Sequence, residues 1–207
     1  EVTALQVDGD RKVPSAETSP RSTKPVANAG AKFKKALGTI ATGATVVEGE
    51  LPAGAVEIAK VSSQTIDKWI RHMLQKSDNT EAEYLARLVA LNQGYDGSFA
   101  SISIAFKKAL ASTNLDTSSL VIKDGSGLSS LNAVSPTFVA QLMGMVLDGW
   151  GDFEIINEGL PSAGETGSLA SRFKGDNADT TGKFRAKTGW INNGYTLAGI
   201  IAAKDGT

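Results

Sequence analysis

The sequence predicts an α/β chain of the α+β type, an antiparallel sheet packed with helices. Three observations predict it. Apolar residues recur with helical spacing through the middle of the 207 residues, a hairpin signal lies near the end, and no strand–helix–strand alternation is present.

The elements follow in order. Residues 1–12 alternate around Val2, Leu5 and Val7 and run into Asp8-Gly9, which predicts a strand and turn. Residues 13–26 are rich in Pro, Ser, Thr and Lys and predict a loop. A short helix from Asn28 is stopped by Gly38. Residues 45–54 predict a strand and turn. Over 63–76, Ile66, Trp69, Ile70, Met73 and Leu74 form one helical stripe, and His72 lies off it as a solvated residue. The next helix, about 79–92, carries Ala82, Leu85, Ala86 and Val89 on one face, and Asp78 and Glu81 have capping-box spacing. A helix over about 98–111 carries Phe99, Ile102, Phe106, Ala109 and Leu110. Residues 119–123 predict a strand that enters the turn "DGSG". Ser135 caps a helix with Pro136 at its first position. Residues 149–182 lack periodicity and predict a long loop. The strands 183–191 and 195–203 predict a hairpin, with Asn193-Gly194 as a type I′ turn. Asp205-Gly206 then asks for a further strand.

Composition narrows the chemistry. Hydrophobic residues make up 41% and charged residues 21%, enough for a sizeable core. The net charge of -1 offers no basic field for nucleic acid or an anionic membrane. No apolar run reaches the roughly 20 residues of a membrane span. No signal peptide is visible, but Glu1 is not a natural start, so an upstream segment is expected. The absence of Cys excludes disulfides, thiolate metal sites and a Cys nucleophile. His72 is the one histidine, so a Ser-His-Asp triad must use it and a multi-His metal site is impossible. No metal or cofactor is expected.

Two tripeptides stand out: Ser77-Asp78-Asn79 after a helix and Lys187-Thr188-Gly189 in a strand. They match two of the three signatures of serine enzymes that handle penicillin. Such an enzyme attacks a carbonyl with a Ser whose proton passes to a Lys, and needs no His. In that chemistry Ser77 relays a proton between the Lys and the leaving amine. Asn79 donates to the substrate amide and holds the nucleophile's Lys. Lys187 and Thr188 receive the substrate's terminal carboxylate. Gly189 lets substrate backbone lie along the strand edge, and the N–H of Trp190 is an oxyanion donor. The bland alternatives are a helix–turn–helix cap for Ser77-Asp78-Asn79, a solvated strand lysine for Lys187 and a plain turn for "DGSG".

The blocks "KSDNTEAEYLARLVA", "DGSGLSSLN", "LPSAGETGSLASRFKG" and "RAKTGW", in this order, resemble the class C low-molecular-mass penicillin-binding proteins. These are D-alanyl-D-alanine carboxypeptidases and endopeptidases of the bacterial cell wall. The resemblance implies a β-lactamase/transpeptidase-like domain, incomplete here. Residues 1–45 then correspond to the end of an inserted accessory domain plus linker, and 46–207 to the C-terminal part of the catalytic domain. It also implies a peptidoglycan stem peptide ending in D-Ala-D-Ala and β-lactams as partners, and an extracytoplasmic location.

This chain departs from the family in three places. The family's Ser-x-x-Lys nucleophile motif is expected upstream, so the chain by itself is expected to be inactive. The only such spacing here, Ser171 to Lys174, falls in a block the resemblance already accounts for. Ser130 stands where the family often has Arg, and Trp190 where it has a small residue. Ser126, in "DGSG", is then a candidate for the substrate side-chain pocket. Alternative functions are a β-lactamase, which the "DGSGLS" block speaks against, and a non-catalytic peptidoglycan-binding module.

Overall fold

The computed structural model describes residues 2–16 and 18–203. The chain divides into two compact units, Glu1–Gln64 and Thr65–Thr207. The sequence-based boundary lies earlier, between Thr45 and Val46.

In the first unit the strand expected over residues 1–12 does not form. Asp8, Gly9 and Asp10 instead take left-handed φ values of 55°, 60° and 54°. The buried Asp10 carboxylate explains the turn. It accepts from the Ser22 N–H (3.0 Å), the Ser22 hydroxyl (2.6 Å) and the Asn28 amide (2.8 Å). These bonds, the Ser22 hydroxyl foremost, hold the Asp10 carboxyl below the usual carboxylate range. Turn chemistry thus overrides the short alternation. Helix α1 spans Pro25–Leu37. It begins before the expected Asn28 because Pro25 is preorganised for the first turn. Gly38 ends it with a φ of 58°. Residues 45–54 form no strand. Val47 and Leu51 stay exposed, so no buried face pins a pairing register.

The second unit holds helices α2 (Ile66–Lys76), α3 (Asn79–Asn92), α4 (Phe99–Leu110), α5 (Pro136–Leu147) and α6 (Glu154–Gly159), then strands β1 (Phe184–Ile191) and β2 (Gly194–Ile201). Its core is built from Ala86 and Ala90 of α3, Ile102 and Ala105 of α4, Phe138 and Val146 of α5, and Leu160, Ala163, Leu169 and Ala186. The most buried line of α3 is therefore Thr80, Glu83, Ala86 and Ala90, rotated from the expected Ala82–Val89 face. On α4, Phe99 is half exposed and Ser101, Ile102 and Ala105 face inward.

Two expected elements change character. The strand over 119–123 shrinks to one antiparallel bridge, Val121 with Ala133, closed by two 2.9 Å bonds. The long loop 149–182 contains α6 and two short 3-10 turns, Gly167–Leu169 and Gly175–Thr180. A six-residue helix is too short to show a period. It is held on α2 by contact: a Cβ on Gly159 would lie 2.8 Å from Leu74 Cδ1 and 3.2 Å from Arg71 Cα. The Gln75 side-chain amide also donates to the Gly159 carbonyl at 2.9 Å.

β1 and β2 pair antiparallel, from Phe184 opposite Ile201 to Ile191 opposite Gly194. The loop is therefore Asn192-Asn193, and the expected Asn193-Gly194 turn is not made. None of these three residues has a left-handed φ. Close contacts favour this register. A Cβ on Gly199 would lie 2.1 Å from the Arg185 carbonyl, and one on Gly189 2.2 Å from the Thr196 hydroxyl. Only glycine fits opposite Ala186 and Thr196 there, which outweighs the turn preference. The strand ends at Ile201 rather than 203, and the Asp205-Gly206 turn lies outside the described residues. Among the described residues no helix is long and apolar enough to cross a membrane.

Candidate active site

The site begins at the junction of α2 and α3. After Lys76 the chain turns at Ser77, which takes a left-handed conformation (φ 53°, ψ 44°) with its N–H on the Met73 carbonyl. Glycine normally fills this C-terminal position, and a residue with a Cβ loses about 1–2 kcal/mol there. Asp78 then caps α3, its buried carboxylate accepting from the N–H groups of Thr80 (2.9 Å) and Glu81 (3.3 Å). The reciprocal half of the expected capping box is missing. The Asp78 N–H donates to Met73 O at 3.1 Å, and the Glu81 carboxylate pairs with exposed His72 Nδ1 at 2.8 Å. One helix stop and one helix cap thus fix Ser77 and place Asn79, half buried, at the first position of α3. Asp78→Ala is expected to lower stability by about 1–2 kcal/mol, with Asp78→Asn restoring most of it, as read by thermal melts.

The facing group comes from β1. Lys187 Nζ donates to Ser77 Oγ at 2.7 Å, across 110 positions of sequence, and to the Thr188 carbonyl at 2.6 Å. The Thr188 hydroxyl lies 3.0 Å from the hydroxyl of Ser168. Ser77, Lys187 and Thr188 thus belong to one hydrogen-bonded cluster, and the sequence reading missed its fourth member, Ser168. Nothing local marks Ser168, one serine in a Gly- and Ser-rich segment. Its partner is 20 residues away and shows only in three dimensions.

The edges of β1 can be read from its bonds. Away from β2, the Phe184 carbonyl accepts from Ala163 N (3.0 Å) and Ala186 N donates to the Pro161 carbonyl (2.9 Å). Backbone groups alternate sides along a strand, so those of Thr188 and Trp190 point to this same edge. The Trp190 N–H therefore faces away from β2. Its indole is 74% exposed and stacks on Tyr195, with ring centres 6.0 Å apart. Gly189 pairs with Thr196, whose hydroxyl fills the space a Cβ would need.

Ser126 lies on the loop after Val121. Its hydroxyl donates to buried Glu83 at 2.7 Å. Ser130 is exposed. Ser171 is exposed too, and Lys174 Nζ is spent on the Gly164 carbonyl rather than on Ser171. The described residues include no group of three or more His, Cys, Asp or Glu that could hold a metal ion.

Known proteins share this architecture. The profile of the D-Ala-D-Ala carboxypeptidase 3 (S13) family matches residues 1–207. The chain is 32% identical over 219 residues to carboxypeptidase DacB of Mycolicibacterium smegmatis, across 98% of this chain and 45% of that protein. It is 30% identical to carboxypeptidase Rv3627c of Mycobacterium tuberculosis, across 99% of this chain and 45% of the relative. The chain thus spans a little under half the length of these relatives. Among solved structures, penicillin-binding protein 4 (dacB) from Haemophilus influenzae, complexed with a β-lactam, superposes with a TM-score of 0.78 at 26% identity. That match covers 91% of this chain and 44% of the other. A second structure of that protein gives 0.60 at 30% identity, over 67% and 31%. The helices and antiparallel sheet expected from sequence are those of part of this fold. With the family profile matching from end to end, this chain belongs to the D-Ala-D-Ala carboxypeptidase 3 (S13) family.

Proposed function

We propose that this chain forms two walls of a serine-type D-Ala-D-Ala carboxypeptidase or endopeptidase site. Its substrate is the peptidoglycan stem peptide, outside the cytoplasm, and penicillins acylate it. Residues 46–207 are then part of the catalytic domain, and residues 1–45 the end of an accessory domain with its linker. The observation that carries this reading is the 2.7 Å bond from Lys187 Nζ to Ser77 Oγ, which joins the two motifs.

The chemistry follows from who donates to whom. A lysine ammonium has donors only, so Ser77 Oγ is the acceptor and its own proton is free to move. In acylation a nucleophilic serine adds to the substrate carbonyl, and its proton goes to a basic lysine. The C–N bond then breaks, and the leaving amine takes a proton through Ser77, which is refilled from the lysine side. Lys187 and the Thr188 hydroxyl hold the terminal carboxylate, while the Trp190 N–H receives the negative charge on the former carbonyl oxygen. Asn79 contacts the substrate amide. The nucleophile and its lysine come from a Ser-x-x-Lys segment outside these 207 residues. Lys174, committed to Gly164, speaks against Ser171 in that role.

Intact-mass measurement after incubation with benzylpenicillin tests this. A longer protein that includes the upstream segment is expected to gain one penicilloyl group, and the folded 207-residue chain none. An adduct on Ser171 of the short chain would overturn the placement of the nucleophile. No adduct on the long protein would leave a binding module, and an adduct lost within seconds would indicate a β-lactamase.

A further inference from the structure

Glu83 is a carboxylate that the chemistry above does not use. It lies on α3 with a relative exposure of 6%. Burying a carboxylate is costly unless hydrogen bonds replace its water. Here one oxygen does all the work. Oε1 accepts from Gly125 N (3.2 Å), Ser126 N (3.0 Å) and the Ser126 hydroxyl (2.7 Å). Oε2 is buried with no hydrogen-bond partner among the described residues. The carboxylate is therefore a one-sided clamp on the backbone of the "DGSG" loop.

A second observation points the same way. A Cβ on Gly125 would lie 2.5 Å from Ala86 Cβ and 2.6 Å from the Ala82 carbonyl. The loop backbone thus sits directly on α3, in a seat made by Ala82, Glu83 and Ala86. Asp124 stiffens the loop from inside, accepting from Gly127 N (2.8 Å), Ser129 N (2.7 Å) and the Asn132 amide (2.9 Å). Asn79 and Glu83 are four residues apart on one helix, so they share a face about 6 Å apart along the axis.

We propose that Glu83 is a positioning residue that locks the 124–129 loop to α3 one turn beyond Asn79, making that loop a fixed wall of the substrate site. The proposal rests on the peptidase reading for its substrate and on geometry alone for the clamp. It revises the expectation for Ser126. With its hydroxyl proton committed to Glu83, Ser126 can offer a ligand only an acceptor, and its main task is to hold the loop.

The test uses the complete protein with Glu83→Ala, Glu83→Gln and Ser126→Ala, read by amide hydrogen exchange and by kinetics on an acyl-D-Ala-D-Ala peptide. Glu83→Ala is expected to speed exchange at Gly125 and Ser126 by about 10–100-fold. It should raise the peptide KM about 10-fold with kcat within about 3-fold, the pattern of lost binding rather than lost chemistry. Gln keeps an acceptor at Oε1 and should stay near the parent in both. Ser126→Ala should fall between. If Glu83→Ala does not fold, Gly125→Ala replaces it, since the added Cβ lifts the loop while leaving the carboxylate. Unchanged exchange in Glu83→Ala, or a Gln variant as impaired as Ala, overturns the clamp. Faster exchange with parental KM overturns the loop's place in the substrate site. A parent inert to both peptide and benzylpenicillin overturns the peptidase reading and that placement with it, while exchange still decides the clamp.

Discussion

Lys187→Ala in the complete protein is expected to lower the second-order rate of acylation by benzylpenicillin about 100–1,000-fold, the usual size for losing one preorganised electrostatic contact. The melting temperature should move by no more than about 4 °C. The two numbers differ because the lysine does different things in the two states. In the folded protein it is half buried and bonds Ser77 Oγ and the Thr188 carbonyl. Both acceptors are partly exposed, so water can replace the ammonium, and the net loss is about 1 kcal/mol. On the proposed reading, the same ammonium meets the substrate carboxylate during acylation and keeps Ser77 oriented. Lys187→Arg is expected to rescue little, because a planar fork cannot take the place of a compact donor reaching two atoms at 2.6–2.7 Å. Equal acylation by the Ala variant and the parent would remove Lys187 from the site. A collapse of the melting temperature would make it a structural lysine.

The parts of the fold that could be read in advance share a physical cause. α2, α3, α4 and α5 carry their own signals: caps at Asp78, Ser98 and Ser135, Pro136 in a first turn, and apolar spacing over three turns or more. The hairpin was read from Asn193-Gly194, and its strands pair although that turn is not made. What failed was decided by contacts far along the chain. The N-terminal alternation lost to Asp10, whose partners Ser22 and Asn28 lie 12 and 18 residues away. The most buried line of α3 fell on Thr80, Glu83, Ala86 and Ala90 rather than on its larger apolar residues, whereas Ile102 of α4 is buried as its spacing predicts.

The site divides along the same line. Ser77 and Lys187 were legible because the chemistry demands those residue types in short motifs. Ser168 and Glu83 were not, because a serine in a serine-rich loop and a glutamate in a helix are what surfaces usually carry. Each meets its partner only in three dimensions, Ser168 with Thr188 and Glu83 with Ser126, and such pairs leave no local pattern. Ser126 sits in a recognisable block, and the structure adds a partner that the block does not announce, the Glu83 carboxylate.

Ser77 supplies the other large effect, because stability and activity should rank its variants differently. Both Ser77→Ala and Ser77→Gly remove the hydroxyl that accepts from Lys187. Both are expected to slow acylation at least about 100-fold, the low end for loss of a proton relay. Helix propensity alone would favour Ala over Gly by about 1 kcal/mol. The left-handed φ of 53° reverses that order. Alanine keeps the Cβ clash of about 1–2 kcal/mol, glycine removes it, and glycine's extra freedom in the unfolded chain returns about half. The Gly variant should therefore melt about 1–4 °C above the Ala variant. A chain with no need of that hydroxyl would gain by carrying glycine, the usual residue for this turn. On the proposed reading, the serine in this left-handed turn serves as a relay. If Ser77→Gly acylates like the parent, the relay is wrong and the junction is only a cap. If Ser77→Ala is the more stable of the two, the left-handed turn itself is wrong.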